Sequence, residues 1–191
     1  LHRHAALGLV TNVFDQRSIA EIRGTSAIGH VRYSTTGSCH DVNSQPLLVQ
    51  YVGGQVAVAH NGNLINAAEL RADYEARGAI FQTSSDTEVI LHLLASPVHA
   101  QAADPLASVL RELRGAFSLL FIFPDRIEAV RDSYGLRPLC IGRLNDGTQV
   151  VASETCALDI VDAEYVRDVA PGEIVTLSED GRKVIGHGAH T

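Results

Sequence analysis

The chain has 191 residues, 46% of them apolar and 19% charged, and carries a net charge of −7. One domain of that length buries roughly 70% of its unfolded surface, and the composition is that of an ordinary globular protein. The acidic balance and the lack of any Lys/Arg cluster argue against nucleic acid, and no apolar run approaches the ~20 residues of a membrane span. Three widely spaced cysteines, Cys39, Cys140 and Cys156, suggest a reducing compartment, with the cytoplasm as the expectation. No secretory signal opens the chain. It holds no Met, and Leu1-His2-Arg3-His4 carries no start signal before Leu7-Gly8-Leu9-Val10, so the sequence reads as a fragment of a longer protein.

The first predicted elements are strands at Ala27 to Tyr33, Leu47 to Val52 and Gln55 to Ala59. Asn61-Gly62, directly after the last of these, reads as a tight turn at a strand end. Three helices follow. Asn66-Ala67-Ala68-Glu69 resembles a capping box for a helix that stops at Gly78. Ser85-Asp86-Thr87-Glu88 is a second box, opening an apolar face at Val89, Leu91, Leu93 and Leu94. Asp104-Pro105 supplies an N-cap and a first-turn proline, with Leu106, Val109, Leu110 and Leu113 at helical spacing.

The rest is mostly β. Ala116 to Phe123 and Ile127 to Arg131 form a hairpin around Pro124-Asp125. Pro138 to Gly142 and Gln149 to Ala152 flank the Asn145-Asp146-Gly147 turn, and Tyr165 to Val169, Glu173 to Leu177 and Lys183 to His187 complete the set. Strands, then grouped helices, then strands is an α+β order, and about nine strands favour two antiparallel sheets with the helices covering one face.

Several residues here could carry chemistry. Arg32, ending an apolar strand, either pairs with a structural carboxylate or holds a ligand carboxylate bidentately, which Lys could not copy. Asp86, in the first turn of a helix, either offsets the helix dipole or receives a substrate ammonium. The Asn61 carboxamide and the Gly62 N–H are two neutral donors of the kind that stabilise an oxyanion in acyl transfer. Together the four groups suit a free amino acid with a side-chain carbonyl. Cys39 is a candidate thiol nucleophile with His30 or His60 as its base, although a lone loop cysteine is usually inert. Cys140 and Cys156, in apolar settings, read as core. The nine histidines form no metal-binding pattern, and no phosphate-cradling glycine motif is present.

These blocks resemble the glutaminase domains of the amidophosphoribosyltransferase family. The resemblance is carried by Ile28-Gly29-His30-Val31-Arg32-Tyr33-Ser34-Thr35, Ala59-His60-Asn61-Gly62-Asn63-Leu64 and Gln82-Thr83-Ser84-Ser85-Asp86-Thr87-Glu88. Arg114-Gly115-Ala116-Phe117, Gly135-Leu136-Arg137-Pro138-Leu139, Ser153-Glu154-Thr155-Cys156-Ala157-Leu158-Asp159 and Pro171-Gly172-Glu173 follow in the family's order. The Gly-Leu-Arg-Pro-Leu and Ser-Glu-Thr-Cys-Ala blocks separate it from glucosamine-6-phosphate synthases and asparagine synthetases.

The resemblance implies an N-terminal-nucleophile hydrolase fold, a four-layer sandwich with two antiparallel sheets between helical layers. It implies that Arg32 binds the α-carboxylate of L-glutamine, that Asp86 binds its α-ammonium, and that Asn61 and Gly62 form the oxyanion hole. The family's nucleophile is an N-terminal cysteine, whereas residue 1 here is Leu, and the Gln-His-Arg-Gly block expected before Gly8-Leu9 is missing. Residues 1–191 therefore read as a glutamine amidotransferase type 2 domain truncated at its N-terminus, inactive alone and aggregation-prone through an unpaired sheet edge. The phosphoribosyltransferase domain that receives the ammonia would lie beyond Thr191. No cofactor is expected in residues 1–191; Mg²⁺ and, in some members, an iron–sulfur cluster belong to that second domain. A homo-oligomer is implied for the whole enzyme. The rivals are a non-catalytic glutamine-binding module that lost its nucleophile, and a hydrolase using Cys39.

Overall fold

Period-two alternation along the strands decides which side of each sheet every residue faces, and the layers follow from it. A computed structural model describes residues 1–32, 41–178 and 184–188. Its elements are α1 (Val10–Val13), α2 (Gln16–Glu21), a 3₁₀ turn (Asp41–Asn43), β1 (Leu47–Tyr51), β2 (Gly54–Leu64), α3 (Ala67–Ala76), α4 (Thr87–Ala95), α5 (Pro97–Ala100) and α6 (Pro105–Leu110). There follow β3 (Gly115–Ile122), β4 (Arg126–Arg131), β5 (Cys140–Arg143), β6 (Gln149–Ala152), α7 (Thr155–Ile160), β7 (Glu164–Asp168), β8 (Glu173–Ser178) and β9 (Val184–Gly188).

The strands form two antiparallel sheets, one of order β1-β2-β3-β4-β8-β9 and one of order β6-β5-β7. On one face of the larger sheet, Val56, Val58, Phe117, Leu119, Phe121, Val130 and Ile174 pack against α4 and α6 through Ile90, Leu93, Leu94, Val109 and Leu110. Shifted by one residue, Leu120, Ala129 and Val175 turn to the opposite face and meet Ile141 of the smaller sheet with Leu139 and Val169 at its strand ends. The outer face of the smaller sheet is closed by Leu158 of α7 against Cys140, Val150 and Ala152. Helices, sheet, sheet and helix make the expected four-layer α+β sandwich.

The two sheets are joined through the turn after β4. Asp132, 1% exposed, accepts the N–H groups of Phe117, Tyr134, Leu136 and Arg137. Arg131 beside it donates to the carbonyls of Gly135, Arg137 and Val169. Each charge satisfies backbone groups that would otherwise be stranded between layers.

Several expectations are corrected. Residues 27–32 form no strand, because they find no ladder partner among the described residues and lie mostly exposed; Tyr33 lies outside the described residues, as do Cys39 and Lys183. Asn61-Gly62 is not a turn: β2 runs through both to Leu64, because β3 pairs with it as far as Gly115. Neither proposed capping box forms. Asn66 instead spans Glu112 O and Arg114 N, at 2.8 and 3.0 Å, and Glu88 turns to the loop before α4. The Asp104 cap does form, accepting from Ala107 N at 2.9 Å. The short helices α1, α2, α5 and α7, of four or six residues, carry too little periodicity to be read from sequence. For α2 a signal was present: Asp15 and Ser18 cap each other reciprocally.

Leu93 is fully buried between α4 and the larger sheet. Leu93→Ala should lower unfolding stability by about 2–5 kcal/mol, read as a reduced urea midpoint with an unchanged slope.

Candidate active site

The site is organised by the last five residues of β2. In this strand the even-numbered residues turn their N–H groups away from β3. Phe117, opposite Gly62, spends its own N–H and C=O on Asp132, on the β4 side. The β1 ladder reaches only the Leu47–Val58 pair, so beyond it the exposed edge of β2 must find other acceptors. His60 N–H donates to Gln45 Oε1 at 2.6 Å and Leu64 N–H to Asp86 Oδ2 at 3.0 Å. Gly62 N–H faces the same edge between them and meets no acceptor among the described residues. Glycine is required there: φ is +150°, and a Cβ would collide with the Ala116 carbonyl.

Asn61 points to the other face of the sheet and is half-buried, its Nδ2 donating to Ser153 Oγ at 3.4 Å. An amide nitrogen carries two hydrogens, so Ser153 occupies one and leaves the second available. Ser153 also lines a cavity of about 320 Å³ with Pro138, Cys140, Glu154, Thr155 and Asp168.

Asp86 occupies the N-cap position of α4, but its side chain does not cap that helix. One oxygen serves Leu64 N–H, and the other lies 3.5 Å from His60 Nδ1. Burial opposes its ionisation, yet the hydrogen bond and charge of His60, with the N–H groups of Leu64 and Thr87, outweigh burial and hold its carboxyl below the usual range. Its side chain keeps 25% of its surface accessible, so the anion can still meet a ligand. Behind it, Glu88 accepts from Gln82 N, Thr83 N and Thr83 Oγ1 at 2.7–2.8 Å, and Asn43 binds Ser84 through both its amide nitrogen and its oxygen. These bonds build the loop that delivers Asp86.

Arg32 is exposed, and no carboxylate among the described residues pairs with it. It lines a cleft of about 1260 Å³ together with His30, Asn43, Gln45 and residues 1–10. Burial, with His60 and Arg32 nearby, pushes the His30 imidazole below the usual range. The structure thus joins Asp86 directly to the Asn61-Gly62 strand and relates Arg32 to it through the cleft that His30, Asn43 and Gln45 also line.

Cys140 is buried as expected, its thiol pushed up by burial and by Asp168. Cys156 is exposed rather than core, because it lies on the outer side of α7. No group of three or more His, Cys, Asp or Glu side chains among the described residues is placed to hold a metal ion. No helix there is long and apolar enough to cross a membrane. Sequence reasoning missed Gln45, Ser153 and Thr87 as supports of the site. Only their proximity in space marks their roles, although Thr87 and Ser153 both lie inside the motifs that carry the family resemblance.

Residues 30–159 match the glutamine amidotransferase domain family, and the chain belongs to that family. It is 49% identical over 94% of its length to a chloroplastic amidophosphoribosyltransferase of Vigna aconitifolia, and 45% identical over 96% to the amidophosphoribosyltransferase of Bacillus subtilis. It spans 37% and 38% of those two relatives. Among solved structures, it superposes with a TM-score of 0.86, at 40% identity, on an allosteric regulatory enzyme of purine biosynthesis, covering 96% of this chain and 39% of that one. The B. subtilis glutamine phosphoribosylpyrophosphate amidotransferase complexed with ADP and GMP gives 0.84 at 39% identity, covering the same shares. The fold is that of the N-terminal-nucleophile hydrolases, as these neighbours have it.

Because the folded-state pKa of Asp86 is lowered, its ionisation stabilises the fold above the ordinary carboxylate range, and this contribution is lost as pH falls through the lowered value. Asp86→Asn should be less stable than wild type near neutrality. The gap, measured by urea unfolding from pH 7 towards pH 3, should narrow in acid.

Proposed function

We propose that residues 1–191 are the glutaminase part of an amidophosphoribosyltransferase, which releases ammonia from L-glutamine to form 5-phosphoribosylamine from phosphoribosyl pyrophosphate in purine biosynthesis. The observation that carries this reading is the donor at Gly62, left without an acceptor among the described residues between two occupied neighbours on the β2 edge and adjacent to the Asn61 carboxamide. Two preorganised neutral donors side by side stabilise the oxyanion of a tetrahedral intermediate.

The attacking group in this reading is a cysteine thiolate. It adds to the side-chain amide carbon of glutamine, and the carbonyl oxygen takes up negative charge facing Asn61 Nδ2 and Gly62 N–H. Collapse of the intermediate expels ammonia once the amide nitrogen is protonated, leaving a thioester that water hydrolyses to glutamate. Arg32 receives the α-carboxylate, supported by a guanidinium that pairs with no carboxylate among the described residues, and Asp86 receives the α-ammonium, which its favoured ionisation supports. The nucleophile of the family resemblance is an N-terminal cysteine, and Leu1 supplies no thiol. Residues 1–191 alone are therefore inactive under this proposal.

The ammonia acceptor is a phosphoribosyltransferase domain of the same protein, which also holds Mg²⁺ and, where present, an iron–sulfur cluster; residues 1–191 need no cofactor. The enzyme is a homo-oligomer of the cytoplasm in this reading.

In the full-length enzyme, Asn61→Ala should reduce glutaminase turnover a hundredfold or more, since one oxyanion donor is worth about 3 kcal/mol. Arg32→Leu should chiefly raise KM for glutamine. Wild-type kinetics in both variants would overturn the assignment. A glutaminase assay on residues 1–191 alone should detect no ammonia release.

A further inference from the structure

His60 is only 4% exposed, wedged between β2 and the start of α4. Its Nε2 is buried and has no hydrogen-bond partner among the described residues. A buried ring nitrogen left unpaired is an uncompensated cost, which an apolar side chain of similar size would avoid. What the imidazole offers in return lies at its other nitrogen. Nδ1 stands 3.2 Å from Thr87 Oγ1 and 3.5 Å from Asp86 Oδ1.

The hydroxyl of Thr87 and the carboxylate of Asp86 together select the partner of Nδ1. Thr87 is fully buried, and its oxygen already accepts from Gln45 Nε2 at 3.2 Å and from Ser85 Oγ at 3.0 Å. Both lone pairs are thus occupied. Thr87 can then only donate, to His60 Nδ1 at 3.2 Å or to Asp86 Oδ1 at 3.5 Å, and the carboxylate beside Nδ1 favours the tautomer that carries its proton there, which turns the Thr87 proton to Asp86. A proton on His60 Nδ1 finds its acceptor in the same carboxylate oxygen. Gln45 holds the rest in place, because it takes the backbone N–H of His60 with the amide oxygen opposite its Thr87 contact.

We infer that His60 is the positioning residue of the ammonium subsite. Its Nδ1–H fixes Asp86 Oδ1 while Leu64 N–H fixes Oδ2, so the carboxylate is held at two points and cannot rotate about its own axis. The quarter of the side chain that stays accessible is thereby held in one orientation, preset for the charge of a substrate α-ammonium. This inference rests on the proposed role of Asp86 as the ammonium-binding group. His60 touches no substrate atom in this scheme and acts only through Asp86.

The test uses the full-length enzyme with two substrates, L-glutamine and its deaminated analogue glutaramic acid, which keeps the amide and one carboxylate but carries no ammonium. Four variants are compared: Asp86→Asn, His60→Leu, His60→Asn and His60→Gln. An Asn amide nitrogen falls near the place of imidazole Nδ1, and a Gln amide nitrogen near that of Nε2. His60→Leu should raise KM for glutamine by about tenfold or more, the scale of one hydrogen bond to a charged group. It should leave kcat, and KM for the analogue, nearly unchanged. His60→Asn should restore most of the glutamine KM, and His60→Gln should not.

Equal loss of kcat on both substrates in His60→Leu, or rescue by Gln as good as that by Asn, would show a packing role and overturn the inference. If the Leu variant does not fold, the Asn-against-Gln contrast decides, with thermal midpoints confirming that both are native. Asp86→Asn separates the two layers of argument. If it leaves the preference for glutamine over the analogue intact, the ammonium assignment itself fails. If it abolishes that preference while His60→Leu does not, only the role given to His60 fails.

Discussion

The bond from Leu64 N–H to the Asp86 carboxylate is the constraint on which the site depends. Among the described elements it ties the end of the longest strand to the start of the most buried helix, across a span of chain that includes α3. Without it the edge of β2 beyond β1 would hold a stranded donor, and a buried backbone donor without an acceptor is costly. With it, the carboxylate is drawn to the same strand segment that presents Asn61 and Gly62. One interaction therefore closes the fold at this corner and sets an anion beside two neutral donors. The loop that makes this reach possible is built by Glu88 and Asn43, each of which spends its polar atoms on backbone or hydroxyl groups.

The opposite face of the same strand depends on the meeting of the two sheets. Ser153 leaves the smaller sheet at the end of β6 and meets the Asn61 amide, so the orientation of that amide depends on inter-sheet packing. That packing is held by apolar contact and by the pair Arg131 and Asp132, which organise the connecting turn. Ser118, opposite Asn61 in the ladder, donates to Pro138 O at the far end of that turn. Residues far from any substrate thus control the geometry of a donor. An error in sheet-on-sheet registration would shift it by whole ångströms, since a pleated strand offers only two side-chain directions.

Much of the fold was legible locally. The hairpin around Pro124-Asp125, the Asn145-Asp146-Gly147 turn and the Asp104-Pro105 helix start all form as read, because each is governed by turn and cap chemistry within a few residues. The apolar stripe of α4 was equally clear, and all four of its marked residues are buried. The failures share a cause. Asn61-Gly62 has the local preferences of a turn, but eight consecutive pairings with β3 hold it extended. Ser85-Asp86-Thr87-Glu88 and Asn66-Ala67-Ala68-Glu69 spell capping boxes, yet distant backbone groups compete for the same side chains and win.

From the sequence alone came the α+β order, the apolar faces, and the identities of a guanidinium, a carboxylate and two neutral donors suited to one amino acid. These follow from residue type and short-range spacing, which the chain carries wherever it goes. Tertiary structure alone decided that Asp86 belongs to the β2 edge rather than to its own helix, that Ser153 holds Asn61, and that His60 and Thr87 stand behind the carboxylate. Apart from the Thr87 contact, those relations join residues more than twenty positions apart. They arise because folding brings unsatisfied polar groups together out of water, where each must take the nearest partner that the packing allows.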